Sequence, residues 1–236
     1  MKKWIVSAGM GMALLISSGS GMAGQWKGTG AGAGLHRQVM TLPYEALSAE
    51  EQEGLLLMRE EEKLARDVYR SLFGMWGEQI FDAISQSEQR HMDAVGLLLE
   101  KYGVPDPVLD DTGIFSNPEL ASLYDELVSR GSVSLSDALW VGATVEDLDI
   151  ADLQRILADP QVDNVDIHTV YQNLLKGSRN HLRAFTYQMS LMGIPYVAQY
   201  LSQEEIDAII NSPWEQGRYD ENGEPVGGGP GRRGSR

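Results

Sequence analysis

The sequence has no cysteine among its 236 residues, which excludes disulfide bonds, thiolate metal sites and iron–sulfur clusters. It has no window in which β-branched apolar residues alternate with polar ones, so strands are not expected. No internal repeat of fixed period is present. Hydrophobic residues make up 42% of the chain, which is enough for one globular core. These properties favour an all-α protein held together by its core or by a bound cofactor.

Positive charge is scarce as well. The 19 Lys and Arg residues face 34 Asp and Glu residues, which gives a formal net charge of −15. This balance opposes binding to nucleic acid or anionic lipid and favours small cations as partners. Acidity that serves only the solubility of the protein is the other interpretation. A homodimer is compatible with this sequence, although no motif specifies one.

The two ends of the chain differ in composition from its middle. Residues 1–23 begin with Met-Lys-Lys, continue with the apolar stretch WIVSAGMGMALLI and end in small residues, which predicts a signal peptide cleaved after Ala23. That stretch is shorter than the about 20 residues that span a bilayer. We therefore expect an exported protein, periplasmic or secreted, that is not inserted in a membrane. The Gly-rich segments 24–41 and 215–236 are predicted to be flexible, which leaves 42–214 as the folded domain.

Signals at the helix ends predict four long helices and one short helix. A capping box at Ser48 starts the first helix, and the second ends before the connection 103–133. Within that connection, Pro118 starts a short helix of about ten residues. The third long helix begins at about Ser134, and the fourth spans about 164–192. Four long amphipathic helices predict a four-helix bundle in which the connection is a crossover between helices two and three.

Each long helix carries polar side chains within its apolar stripe. These positions follow apolar residues of the same face at steps of three or four, so their side chains point into the bundle. The inward polar residues are Glu62 on the first helix, Glu88 and His91 on the second, Glu146 and Asp149 on the third, and Ser178 and His181 on the fourth.

Four inward acids at similar levels of a bundle require compensation. An isolated buried charge costs many kcal/mol, so a buried carboxylate must be paired or protonated. Carboxylate oxygen and neutral imidazole are ligands suited to iron, manganese or zinc, and two divalent ions would balance four carboxylates. The pattern therefore predicts a dinuclear metal site. Its candidate ligands are Glu62, Glu88, His91, Glu146, Asp149 and His181.

Each candidate ligand also has a simpler interpretation. Glu62 can pair with Arg66, one turn away on the same helix. Glu88 can be a half-exposed surface acid. His181 can be a core histidine bonded to a backbone carbonyl or to Ser178.

Other residues near the apolar stripes are weaker candidate ligands or are not assigned to the site. A shift of one position makes Asp147 or Asp152 the inward acid in place of Asp149. Aromatic residues in a bundle interior usually serve packing. The residues assigned to packing or to positions away from the site are His36, His168, Tyr69 and Tyr171.

Four stretches together resemble an uncharacterised domain family of bacteria and archaea, domain of unknown function 2202, which is placed in the ferritin-like superfamily. They are LMREEEKLARDVYRSLFGMWG, SEQRHMDAVGLLLEKYG, ALWVGATVEDLDIADLQ and VYQNLLKGSRNHLRAF, and they cover about residues 50–192. Within them, EKLARDVY is similar to the first-helix pattern Glu-x-x-Ala-Arg of rubrerythrin-like proteins. This similarity selects Glu62 over Glu60 or Glu61 as the ligand of the first helix.

The resemblance implies a ferritin-like four-helix bundle with an iron or manganese centre and oxidase, peroxidase or Fe(II)-oxidising activity. Its ligand pattern matches Glu62, Glu88, His91, Glu146 and His181. The sequence departs from that pattern at Ser178, where the fourth helix usually has a glutamate. Three arrangements are compatible with this change: Asp149 supplies the missing carboxylate, the site holds a single ion, or the site binds metal weakly.

A second hypothesis stands beside the metal site. A non-enzymatic exported helical domain, with a binding or structural role, would use the same inward polar residues as a buried hydrogen-bond network without metal. The chain also lacks the cysteine-bearing electron-transfer module of rubrerythrins. The residues alone do not decide whether the protein is an enzyme.

Overall fold

A computed structural model of the chain describes residues 39–226, which are mainly helical. The elements in chain order are α1 (Ala49–Trp76), α2 (Gln79–Tyr102), α3 (Pro118–Gly131), α4 (Leu135–Leu157), α5 (Val165–Leu191), α6 (Gln203–Ile210), β1 (Arg218–Tyr219) and β2 (Pro225–Val226). The predicted all-α class is confirmed. No helix in this described range has both the length and the apolar character needed to cross a membrane.

The helix ends lie where the local sequence signals predict them. The Ser48 hydroxyl accepts a hydrogen bond from the Glu51 backbone N–H, and the Glu51 carboxylate accepts one from the Ser48 N–H. Gly103 ends α2 in the left-handed conformation, with φ 66°, which favours glycine because it has no Cβ. The short helix α3 begins at Pro118 as predicted, but it has 14 residues and is longer than expected.

The four long helices enclose one apolar core and form a helical bundle. Helix α1 packs against α2 and α4, and α5 packs against α4 and α2. The rings of Tyr69, Phe81 and Phe185 meet in this core, with centroids 5.2 to 6.4 Å apart. The crossover with α3 joins the α1–α2 pair to the α4–α5 pair, as the sequence predicts.

Helix α1 is buried on all sides at mid-length, and not only along its apolar stripe. Residues 60–69 are all buried, because the crossover covers the side of α1 that faces away from the core. Glu60 accepts hydrogen bonds from the backbone N–H groups of Ser116 and Asn117, at 2.6 and 3.0 Å. Lys63 donates to the Asp111 carbonyl at 2.9 Å. The charged run on α1 thus anchors the crossover.

Helix α4 is enclosed in the same way by the chain that follows α5. Residues 141–150 are all buried, and Asp147 lies beneath the segment 196–201. Its carboxylate accepts hydrogen bonds from the Tyr196 hydroxyl and from the backbone N–H groups of Gln199, Tyr200 and Leu201. Asp147 therefore fastens a loop to the bundle and does not belong to the candidate metal site.

The folded part extends beyond the predicted boundaries of 42 and 214. Val39 is buried, and Lys101 donates hydrogen bonds to the carbonyl groups of Val39 and Leu42. At the other end, β1 and β2 form a hairpin, and Asn173 exchanges two hydrogen bonds with the Tyr219 backbone. Long-range hydrogen bonds thus hold residues of 39–41 and 215–226 to the bundle, although both belong to segments that composition predicts to be flexible.

Residues 1–38 and 227–236 lie outside the described residues. They include the predicted signal peptide 1–23, His36 and the rest of the two Gly-rich segments.

Glu215 holds the hairpin segment against α5. It accepts hydrogen bonds from Arg179 at 2.8 Å and from Arg183 at 2.9 Å. Burial alone would raise the pKa of Glu215, but these hydrogen bonds outweigh it and lower that pKa from 4.5 to about 2. A carboxyl group whose pKa is lower in the folded state stabilises the fold above its unfolded pKa, and this contribution is lost as the pH falls through the folded pKa.

We expect Glu215→Gln to lower the free energy of unfolding at pH 7 by about 1–2 kcal/mol, since the ion pairs are partly solvated. For a domain of this size, that is a fall in Tm of about 2–8 °C. Circular dichroism melts should show the difference from wild type shrinking as the pH falls from 4.5 towards 2. Glu224→Gln, an exposed acid of the same hairpin, is the control. A constant difference at all pH values would contradict this account.

Candidate metal centre

The candidate ligands come from the middle of all four long helices and converge in the bundle interior. The three glutamate carboxylates are almost fully buried, whereas the imidazoles retain an exposed fraction of 14% in one case and 12% in the other. The contributing residues are Glu62 on α1, Glu88 and His91 on α2, Glu146 on α4 and His181 on α5.

These residues form two overlapping clusters that share Glu88. Glu62, Glu88 and His91 form the first cluster, and Glu88, Glu146 and His181 form the second; the ligand atoms within each all lie within 4.8 Å of one another. The two oxygens of Glu88 face different imidazoles, with Oε2 at 2.7 Å from His91 Nδ1 and Oε1 at 2.8 Å from His181 Nδ1. Either cluster could hold a metal ion.

Several atoms of the clusters approach each other without making hydrogen bonds. Glu88 Oε1 and His181 Nδ1 are buried and, within the described range 39–226, have no partner in hydrogen-bond geometry, although they lie 2.8 Å apart. Glu62 Oε1 is also buried and has no hydrogen-bond partner among the described residues. Two ligand atoms at about 2.1 Å from a shared ion and at right angles to each other lie about 3.0 Å apart. The distances suit ligands of a shared ion and also charge-assisted hydrogen bonds, and the unpartnered atoms leave the clusters able to take a metal ion.

Burial and mutual repulsion oppose ionisation of two of the carboxyl groups. Burial raises the pKa of Glu62 to about 7, although His91 opposes the rise. Burial and the charge of Glu88 raise the pKa of Glu146. Burial would also raise the pKa of Glu88, but His181 and His91 outweigh it and lower that pKa. Glu88 is therefore the carboxylate that keeps its charge.

The carboxylates in turn favour protonated imidazoles. Burial alone would lower the pKa of His181, but Glu88 and Glu146 raise it to about 10. Burial also opposes the charge on His91, but Glu62 and Glu88 raise its pKa well above the usual value. Two cations near the carboxylates are thus strongly favoured, either protons on the imidazoles or metal ions. A metal ion must displace these protons, because only neutral imidazole can act as a ligand.

Tyr69 orients one of the carboxylates, a role that packing considerations alone did not assign to it. Its hydroxyl donates a 2.6 Å hydrogen bond to Glu146 Oε1. The other oxygen of Glu146, Oε2, faces His181 Nδ1 at 3.5 Å. Hydrogen bonds of this kind fix the direction of a metal ligand and tune its basicity. In the sequence, the only indication of this role is that Tyr69 lies seven residues after Glu62, on the same inward face of α1.

Asp149 points inward as predicted but lies outside both clusters. One of its oxygens accepts a hydrogen bond from Ser178, and the other, Oδ1, is buried and unpartnered among the described residues. Burial and the charge of Glu62 raise the pKa of Asp149 well above its usual value. Of the alternatives in the same stretch, Asp152 forms an ion pair with Arg155 at 2.7 Å. Asp149 is thus the inward acid of its stretch, and Ser178 contacts it across the bundle.

The simpler interpretations of the individual ligands are wrong. Arg66 contacts Asp67 and Gln89, not Glu62. Glu88 is buried rather than half-exposed.

His181 and His168 lie in different environments, one inside the candidate centre and one away from it. His181 directs Nδ1 at two carboxylates, while Ser178 donates to Asp149 and to the Leu174 carbonyl. His168 directs Nε2 at the Val162 carbonyl at 2.7 Å and takes no part in the centre.

The fold and the site together define the class: an all-helical protein whose bundle interior holds two overlapping carboxylate–histidine clusters that could bind metal. The sequence profile of the family described as "Uncharacterized protein domain (DUF2202)" matches residues 51–213, and the chain belongs to this family.

One relative is the uncharacterized protein MJ0754 of Methanocaldococcus jannaschii. It is 55% identical over 180 residues, which cover 76% of this chain and 96% of the relative. The fold is similar to the crystal structure of the hypothetical protein MJ0754 from Methanococcus jannaschii, with a TM-score of 0.72 and 56% identity. That match covers 74% of this chain and 99% of the solved one.

Proposed function

We propose that this protein is a ferritin-like metalloprotein whose two clusters hold a pair of iron or manganese ions, with Glu88 shared between them. The observation that carries the proposal is the position of Glu88. Its two oxygens face two imidazoles from different helices, and each imidazole has a further carboxylate beside it. A carboxylate with one oxygen in each cluster is arranged to bridge two ions.

The arrangement of the helices supports a ferritin-like bundle. Two helix pairs, α1 with α2 and α4 with α5, are joined by one long crossover, and each long helix contributes at least one ligand. Metal sites in ferritin-like di-metal proteins are built in this way from facing helices. The departure at Ser178 leaves α5 with one ligand, His181. Burial raises the pKa of Asp149 in the metal-free protein, and we propose that Asp149 supplies the additional negative charge once nearby metal ions favour its ionisation.

The donor set favours iron or manganese. Three carboxylates and two imidazoles, with no sulfur ligand, suit these metals and disfavour soft ions. When bound, such ions supply redox chemistry with oxygen or peroxide. The residues of the chain would hold and orient them: Tyr69 directs Glu146, and the three glutamate carboxylates are almost fully buried. His91 and His181 stack with ring centroids 5.6 Å apart and have the most exposed edges of the ligand set. Small reactants would therefore enter between α2 and α5.

We also propose that the mature protein is exported. This rests on the signal-peptide pattern of residues 1–23, which lie outside the described part of the chain.

Adjacent glutamates on α1 offer a matched test of the metal centre. Glu61 and Glu62 are both buried, but only Glu62 belongs to a cluster. After anaerobic loading with Fe(II) and gel filtration, we expect about two metal ions per wild-type chain and the same for Glu61→Gln. Glu62→Gln should lose most of the ion beside His91, because an amide replaces a charged ligand. Mass spectrometry of the metal content gives the result. Equal metal content in all three proteins, or none in wild type, would reject the proposal.

A second candidate function is favoured by one observation. The carboxylates beside the two imidazoles favour the protonated form of each imidazole. The site can therefore also form an ion-pair network without metal. In that case the protein is a non-enzymatic binding or structural domain. The dependence of thermal stability on metal distinguishes the two functions.

A further inference from the structure

Gly177 on α5 lies directly against the imidazole of His91 on α2. A Cβ added at Gly177 would lie 2.6 Å from both His91 Cε1 and His91 Nε2. Carbon atoms in favourable contact are about 3.5–4.0 Å apart, so a side chain at this position would require a displacement of about 1 Å. Neither cluster includes Gly177, and it carries no functional group of its own.

The imidazole has no free direction in which to retreat while remaining a ligand. Its other ring nitrogen, Nδ1, is bonded to Cε1 and already lies 2.7 Å from Glu88 and 3.2 Å from Glu62. A side chain on α5 would displace the ring as a whole or rotate it. In both cases Nδ1 leaves the position in which it completes the first cluster.

The backbone gives no other reason for glycine at this position. Positive φ angles among the described residues occur at other glycines, and Gly177 lies within the regular helix α5. Glycine in a helix interior is unfavourable by about 1 kcal/mol relative to alanine. The close approach to His91 is therefore the feature that explains this residue.

We propose that Gly177 is the positioning residue for His91 in the metal centre: the missing side chain makes the space in which the imidazole reaches Glu62 and Glu88. This inference rests on the proposed function, because it assigns His91 as a metal ligand.

The first measurement is metal affinity. Titration of the metal-free protein with Mn²⁺, followed by electron paramagnetic resonance, should show affinity at one of two sites falling at least about tenfold in Gly177→Ala, because misplacing a ligand costs at least as much as losing a group that orients it. Gly74→Ala is the matched control, since an added Cβ there meets no atom of residues 39–226 within 4 Å. It should bind Mn²⁺ as wild type does.

The second measurement is a thermal comparison in the metal-free protein. Gly177→Ala should lower Tm when His91 is present. In a His91→Ala background the clash is gone, so the same substitution should raise Tm by about 2–4 °C, as alanine is the better helix former. Gly74→Ala should raise Tm in both backgrounds. This reversal of sign is not expected for a glycine that merely affects helix packing.

The outcomes separate this inference from the proposed function. Wild-type Mn²⁺ affinity in Gly177→Ala, or the same fall in Tm in both backgrounds, overturns the role of Gly177. If wild type itself binds no Mn²⁺ or Fe(II), the proposed metal function fails and the metal role of Gly177 fails with it. A change in the sign of the Tm effect of Gly177→Ala between the two backgrounds would then support only the steric contact of Gly177 with His91.

Discussion

Replacement of Glu88 by glutamine is expected to abolish metal binding at both clusters at once. Glu88 is the one ligand that the clusters share, and its pKa is lowered by His181 and His91 against the effect of burial. The amide of glutamine is nearly the same size but carries no charge and one oxygen instead of two. Loss of groups that only orient a ligand already costs 10- to 100-fold in metal affinity, so loss of the shared ligand should cost at least about 100-fold at each site.

Metal content after loading with Fe(II) or Mn²⁺ measures this effect, and circular dichroism verifies that the variant is folded. Glu100→Gln, an exposed acid on the same helix α2, is the control and should bind metal as wild type does. Glu146→Gln removes a ligand from one cluster only and should keep about one ion per chain. A folded Glu88→Gln protein that keeps both ions would contradict the shared-ligand arrangement.

Binding of metal is expected to raise the thermal stability of the domain substantially. In the metal-free protein, Glu62, Glu146 and Asp149 are buried carboxyl groups with raised pKa values, and divalent ions would relieve their repulsion. An ion at 100 times its dissociation constant stabilises the folded state by about 2.7 kcal/mol. For a domain of this size, that corresponds to an increase in Tm of about 5–10 °C.

Thermal melts at neutral pH, with added Mn²⁺ and with a chelator, measure the change. The Glu88→Gln variant should melt at the same temperature under both conditions, which separates site-specific binding from general effects of salt on an acidic protein. Melting of wild type that is independent of metal would instead favour the non-enzymatic domain with a buried ion-pair network. The same melts thus decide between the two candidate functions.

Local signals in the sequence predicted the helices and most of the inward ligands. The capping box at Ser48, the proline at 118 and the glycine at 103 act through the nearest backbone groups, so neighbouring residues are enough to interpret them. The inward positions follow from the helical period, which places Glu88 and His91 on one face. Because the inward faces of all four long helices meet in one interior, the helical period is enough to predict the candidate centre.

Sequence reasoning could not find the features that depend on contacts between distant parts of the chain. The hydrogen bond of Tyr69 to Glu146, the cover over Asp147 and the hairpin anchored by Asn173 join residues 46 to 77 positions apart. Contacts between residues so far apart leave no periodic pattern in the sequence.

The sequence by itself determined the four long helices and the short helix of the crossover and placed Glu88 and His91 on an inward face, because these features depend on neighbouring residues and on the helical period. Tertiary structure alone decided how the ligands divide. It placed Glu88 between two imidazoles, left Asp149 with Ser178 outside both clusters, and put Gly177 against His91. The physical reason is that helix spacing and rotation, on which distances of 2 to 4 Å between side chains depend, are set by the packing of the whole bundle.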